Sequence, residues 1–377
     1  PPRISVIVPI YNAASTLRAA VQSILTQDIA GLEVLLVDDG STDATPGLCH
    51  DLALRDDRIQ VITQKNAGIC AARNRGLSVA EGMYVTFCDD DDLLLPGALA
   101  LLLQKAEDTG ADIVRADYEL IHISPDGTET PQPHPAGTAC DLATDGDYRK
   151  FLQNSGPQFV WNALYRRSAI GNLRFDEHCR YGLEDFIFNA GLYARTDKVH
   201  YLPQPVYRHF ESGQSTSQCQ TVQALQGRIG VLDRWMAAEY KAIQARCPEA
   251  ARAAVWNDRR AQAITFLMHQ LADANGELFS LEAAATDAEA TVEDAAAEDA
   301  EEEPPQAERA AAAPQATAAV RKERRVILRI LMISSISSPC SQQDAALRAD
   351  IVSGSNKVRF TLVKYITESL AKQSTFA

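Results

Sequence analysis

The chain has 377 residues, 46% of them apolar, and a formal net charge of −14; that length and apolar content supply a large buried core and exclude a disordered chain. Twelve Asp and Glu, with no Lys or Arg, fall between Glu277 and Glu308, so the remainder carries a net charge near −2 and shows no electrostatic footprint for nucleic acid. Eight cysteines stand singly, without a Cys-x-x-Cys pair, as in the reducing cytoplasm; no apolar run reaches the roughly 18 to 20 residues of a membrane span, and no basic-then-apolar signal opens the sequence.

The β-branched run "ISVIVPI" predicts a strand over 4–10, followed by a helix in "TLRAAVQSILTQ" for which Ser15 is the expected N-cap. "LEVLLVDDGSTDAT" repeats the unit, with a strand ending at Asp38 and Asp39 and a helix capped by Thr42 or Asp43. A third strand in "RIQVITQ", a helix in "AGICAARNRGLSVA" and a fourth strand in "GMYVTFC" complete the alternation. This pattern predicts an α/β fold with a mainly parallel, Rossmann-like sheet flanked by helices. Ligands bind such sheets outside the carboxyl ends of the strands, where Asp38, Asp39 and Asp89 to Asp92 fall.

Further on, "DIVRADYELIHI" predicts a strand pair about the Pro and Gly loop "PDGTETPQPHPAG". "FVWNALYRRSAI", a helix from Glu184 and the strand-like "VHYLPQPVYRHF" follow. The expected division is a catalytic-type domain over 1–220, a helical extension over 221–275, an acidic Ala- and Glu-rich linker or solvated helix over 276–320, and basic, amphipathic C-terminal helices over 321–377. The basic segment 321–333 reads either as a helix docked on the body or as one lying on a membrane surface or partner.

The chemistry centres on "TFCDDDDLLLP". In an extended segment side chains at i and i+2 share a face, so Asp89 and Asp91 are expected to converge, with Asp90 pointing elsewhere. Paired carboxylates suit Mg²⁺ or Mn²⁺, which keep waters and take remaining ligands from substrate phosphates; the competing reading is a charged turn that caps the next helix. Asp38 and Asp39 fit hydrogen bonding to the base or ribose of a nucleotide, or a helix cap. No Gly-rich phosphate loop accompanies them, so a metal and basic side chains must neutralise the phosphates.

Four ordered blocks, "ISVIVPIYNAASTLRAAVQSILTQ", "LEVLLVDDGSTDAT", "NAGICAARNRGLSVAEGMYVTFCDDDDLLLPGAL" and "YGLEDFIFN", resemble the family 2 glycosyltransferases of GT-A fold, over about residues 3–215. The resemblance implies metal-dependent, inverting transfer of a sugar from a nucleotide-diphosphate donor, taken to be a UDP-sugar, to a hydroxyl of a glycan or lipid-linked acceptor. It makes Asp39 a contact to the base, Asp89 or Asp90 a contact to the ribose, and Asp91, with Asp89, a ligand of the metal. Pro9, Tyr11 and Arg73 would line the nucleotide pocket. Asp185, preceded by Glu184, resembles the catalytic base, though Glu-Asp at a helix start is also favourable capping chemistry.

His209 is a candidate further metal ligand or an ordinary partly buried histidine, Arg208 and Ser215 are candidates for the diphosphate, and Trp161 is a candidate sugar platform or a core residue. The sequence departs from the family pattern at Asp90, where Ser is usual, and at Ala163 of "WNALYRR", where a lysine is expected; the second departure implies a different acceptor site or weakened activity. A nucleotide-sugar-binding scaffold and a sugar nucleotidyltransferase are the alternatives, the latter lacking its Gly-rich basic loop after the first strand.

Overall fold

β-Branched runs become the centre of a ten-stranded sheet in the computed structural model, which describes residues 2–132, 137–142, 148–154, 159–212, 222–259 and 262–263. Strand β1 (Ile4–Ile10) is buried at every position, as befits a strand covered on both faces. It pairs in parallel with β2 (Leu32–Asp38) and β4 (Tyr84–Phe87), and β3 (Ile59–Thr63) extends the parallel set beyond β2. Helices α1 (Leu17–Leu25), α2 (Thr45–Ala53) and α3 (Ile69–Val79) are the crossovers. Gly76 lets α3 lie close on β1, because a Cβ there would meet Ile7 Cγ2 at 2.4 Å.

After β4 come β5 (Leu93–Leu94), α4 (Ala98–Thr109), β6 (Ile113–Ile123), β7 (Glu129–Gln132), β8 (Cys140–Asp141), α5 (Tyr148–Asn154), β9 (Ala163–Arg166), α6 (Arg167–Ile170), α7 (Glu184–Tyr193), β10 (Val199–Ser212) and α8 (Val222–Arg246). The main strand order is β3-β2-β1-β4-β9-β6-β10-β5. Strand β9 enters antiparallel between β4 and β6, while β6 and β10 run parallel to each other. The sheet is therefore mixed, with its wholly parallel half around β1.

Three local expectations change in detail. Ser15 does not cap α1: the helix begins after Thr16, and the chain turns on Ala13, whose carbonyl accepts from Thr16 N and Leu17 N. Neither Thr42 nor Asp43 is the N-cap of α2, which is Ala44; Asp43 stands just before it, its Oδ1 accepting from Thr45 N at 2.9 Å. "DIVRADYELIHI" forms one strand, β6, which turns at Ser124–Thr128 into β7. The described part of the chain through Trp256 belongs to one compact unit, and a second unit begins at Asn257. Ser215, the acidic stretch 276–320 and the basic segment 321–333 lie outside the described residues. Among those described, no helix is long and apolar enough to cross a membrane, and the cysteines are buried free thiols.

Candidate active site

Strand β4 ends at Phe87, and Asp89 to Asp92 then close a tight turn in which Asp92 N donates to Asp89 O at 3.3 Å. The extended geometry expected to pair Asp89 with Asp91 is not what forms. Four like charges in a turn fan out, and three of them take different partners. Asp89 Oδ1 accepts from Arg73 Nη2 at 2.9 Å, and its backbone N–H donates to the Tyr207 hydroxyl at 2.9 Å. Asp90 Oδ2 accepts from Tyr11 N at 3.0 Å; burial and then the charge of Asp91 push the Asp90 carboxyl up to about 8. Asp92 is fully buried, with Oδ2 2.9 Å from His209 Nδ1 and Oδ1 accepting from Phe210 N at 2.8 Å.

Asp91 remains as the exposed member, without a hydrogen-bond partner among the described residues. The protein crowded around it, then the charges of Asp92 and Asp89, push its pKa up to about 7. A carboxylate that gains so much from a nearby positive charge is a natural cation ligand. Burial opposes a charge on His209, but its bond to Asp92 and the surrounding aspartates outweigh that and raise its pKa. A carboxylate at Nδ1 fixes the ring and leaves Nε2 as the free nitrogen, the arrangement seen behind metal-binding histidines. Among the described residues no three His, Cys, Asp or Glu side chains converge into a ready-made cage; the available set suits an ion completed by water and phosphate oxygens.

Arg73 joins this turn to the candidate base. Its guanidinium is buried and donates to Asp89, to Glu184 Oε1 at 3.1 Å and to Asp185 Oδ1 at 3.0 Å. Although burial works against its charge, the three carboxylates hold its pKa above the ordinary arginine value. Asp185 Oδ2 accepts from Val160 N at 3.1 Å. Burial, only partly offset by Arg73, pushes Asp185 up to about 7, the range in which a carboxylate exchanges protons near neutrality. The pair Glu184 and Asp185 opens α7 directly after Gly182 (φ 111°) and Leu183 (φ 73°). A leucine in the left-handed region costs about 1–2 kcal/mol, and the surrounding packing must hold it there. Helix α8 contributes, since Arg228 Nε donates to Tyr181 O at 2.7 Å and the rings of Phe186 and Trp235 meet at 5.6 Å.

On the β1 side, the loops after β1 and β2 are stitched together. Asn12 (φ 54°) donates its N–H to Ser41 Oγ and accepts from Thr42 N at 2.8 Å. Asp38 Oδ1 accepts from Ser41 N at 2.9 Å, so this carboxylate shapes the turn. Both oxygens of Asp39 are engaged, with Gln64 Nε2 and Ala67 N on Oδ1 and Gly68 N on Oδ2. With about four acceptor positions on a carboxylate, Asp39 organises the 64–68 loop and keeps limited capacity for a further donor. Pro9 is buried within β1, whereas Tyr11 is 51% exposed beside Asp90.

Two expectations are corrected. Trp161 is no sugar platform: it is buried, stacked with Phe159 at 4.6 Å and Tyr207 at 4.4 Å between ring centroids. Arg208 pairs with Glu119 at 2.8 Å, while its neighbours Tyr207 and His209 turn to Asp89 and Asp92; strand alternation thus carries Arg208 to the face away from the aspartates. Ala163, where a lysine is expected, is fully buried on β9 opposite Arg115. Tyr207 and Asn12 escaped sequence reasoning, as did the particular role of Asp92. For Asp92 the only signal was membership of the acidic run; for Tyr207, its place two residues before His209.

The sequence profile described as Glycosyl transferase family 2 matches residues 5–174. The chain is 32% identical to "Uncharacterized glycosyltransferase EpsJ" of Bacillus subtilis (strain 168) over 223 residues, 58% of this chain and 63% of EpsJ, less than two thirds of that relative's length. It is also 32% identical, over 217 residues, to the "GalNAc(5)-diNAcBac-PP-undecaprenol beta-1,3-glucosyltransferase" of Campylobacter jejuni, covering 57% of this chain and 67% of the relative. In fold it is similar to S. aureus TarS 1–349 in complex with UDP, with a TM-score of 0.53 and 21% identity over 67% of this chain and 69% of that one.

Proposed function

This chain belongs to glycosyl transferase family 2, and on that premise we propose that it moves a sugar, with inversion, from a UDP-sugar to a hydroxyl of a glycan or lipid-linked acceptor. The observation that carries the reading is the Arg73 bridge, which binds the aspartate turn after β4 and the Asp185 carboxylate into one buried constellation. The turn provides for the donor end, and Asp185 provides for the acceptor. Asp185 accepts the hydroxyl proton as that oxygen forms its bond to the anomeric carbon and the bond to the diphosphate breaks. One displacement from the opposite face inverts the centre without a nucleophile on the protein.

Asp91 would be the chief protein ligand of Mn²⁺ or Mg²⁺, with Asp89 and His209 as further candidates and water and phosphate oxygens completing the set. Such an ion supplies charge neutralisation for the departing diphosphate. Asp91 fits because its oxygens are hard donors, exposed and unpartnered among the described residues. Asp92 orients His209, Tyr11 N holds Asp90, and Tyr207 holds the Asp89 backbone. Asp39 and the 64–68 loop form the floor proposed for the base of the nucleotide, with Pro9 and Tyr11 beside it and Asp89 or Asp90 toward the ribose.

UDP as the nucleotide belongs to the proposal; the fold neighbour TarS is crystallised with UDP and with UDP-GlcNAc. The lipid-linked acceptor draws on the Campylobacter relative, whose name places its acceptor on undecaprenol. Cytoplasmic placement, with 321–333 at the inner membrane face, is part of the same reading, as is the domain division given from sequence. The test is UDP release from UDP-sugars with Mn²⁺, alone and with candidate acceptors. Turnover that Asp185→Asn abolishes at unchanged UDP affinity supports the proposal. Binding without release by the unsubstituted chain favours a scaffold, and pyrophosphate-dependent formation of UTP favours a nucleotidyltransferase.

A further inference from the structure

We propose that Arg115 is a positioning residue for Asp185, acting through the single peptide group that joins Phe159 to Val160. The inference rests on the reading of Asp185 as the base. Arg115 is a fully buried side chain on β6, and no carboxylate pairs with it among the described residues. Its Nε has no partner among the described residues, and both terminal nitrogens converge on one acceptor, Phe159 O, Nη1 from 3.0 Å. With no carboxylate in direct contact among the described residues, the guanidinium directs both terminal nitrogens at the Phe159 carbonyl and polarises it.

That carbonyl shares its planar, conjugated unit with Val160 N–H, which donates to Asp185 Oδ2 at 3.1 Å. Withdrawal of electron density toward the guanidinium strengthens the N–H as a donor. Asp185 is thus held from two sides, directly by Arg73 on Oδ1 and through a peptide by Arg115 on Oδ2. Ala163 supplies an independent way to probe this. It is the register partner of Arg115 and is equally buried, and register partners project from the same face of a sheet. A basic side chain at 163 therefore starts beside the place the guanidinium occupies.

The experiment uses the full chain, with UDP release from UDP-glucose, UDP-galactose, UDP-GlcNAc and UDP-GalNAc in Mn²⁺, and UDP affinity by calorimetry. Arg115→Met should lower kcat about tenfold, the size of one weakened hydrogen bond to a charged group, at unchanged UDP affinity. Adding Ala163→Lys to Arg115→Met should recover most of that loss. Failure to recover, or a parallel loss of UDP affinity, would reduce Arg115 to a structural residue and overturn the proposal. Should Arg115→Met fail to fold by circular dichroism, Arg115→Lys and Arg115→Gln replace it; Lys should retain more kcat than Gln, and equal values overturn the proposal. Asp185→Asn separates the two readings. Release that survives it removes the base and this inference together, abolished release with full activity in Arg115→Met removes this inference alone, and no release by the unsubstituted chain from any of the four sugars counts against both.

Discussion

Arg73→Met removes a cation that three carboxylates share. The guanidinium nitrogens lie 2.9 Å from Asp89, 3.1 Å from Glu184 and 3.0 Å from Asp185, with side-chain exposures of 2% for Arg73, 21% for Asp89, 13% for Glu184 and 10% for Asp185. Water cannot replace the lost charge without opening the site, so the expected destabilisation is that of breaking a buried ion pair, about 3–5 kcal/mol. It does not multiply threefold, because the stranded carboxylates take up protons instead. Proton uptake gives the sign of the pH dependence. Carboxylates whose folded pKa values rise above the unfolded values keep their contribution at low pH and lose it as pH rises through the folded values. The deficit of Arg73→Met should therefore be small at pH 4.5 and full at pH 8, read from urea unfolding followed by tryptophan fluorescence. A deficit below about 1 kcal/mol at pH 8, or one equal at both pH values, would refute the buried three-way bridge.

With Asp185 pushed up to about 7 by burial, kcat should climb with pH through that value and level above it, since a base must be ionised to accept a proton; a flat rate from pH 5.5 to 8.5 would contradict the assignment. The same raised pKa favours folding below the unfolded value near 4 and loses that contribution as pH rises through 7, so activity and stability respond in opposite directions. Gly76→Ala should cost about 1–3 kcal/mol through overpacking, because its Cβ would meet Ile7 Cγ2 at 2.4 Å; an unchanged melting temperature would show that α3 moves away without cost.

The strands around β1 were legible because β-branched runs such as "ISVIVPI" can satisfy burial on both faces only as interior strands. Asp38 and the Asp89–Asp92 run were placed at strand ends by the same pattern. The partners within the run were not legible, since period-two reasoning assumes an extended chain and the aspartates sit in a turn. Arg208 and His209 were indistinguishable for a related reason. Strand β10 shifts register on β6 between Leu202 and Tyr207 around Pro205, and such an irregularity resets which residues face which side. The Trp161 stack and the Arg115 contact to Phe159 join distant segments through an antiparallel insertion, β9, whose place between β4 and β6 no local pattern encodes.

Asp91 bears most directly on whether the acidic turn exists to hold a metal against a diphosphate. Calorimetric titration of UDP with and without Mn²⁺, in the unsubstituted chain and in Asp91→Ala, isolates that question from acceptor and turnover. The metal should tighten UDP binding by about tenfold or more, at least 1.4 kcal/mol, in the unsubstituted chain and leave Asp91→Ala unaffected. Equal Mn²⁺ dependence in both proteins, or none in either, would contradict it.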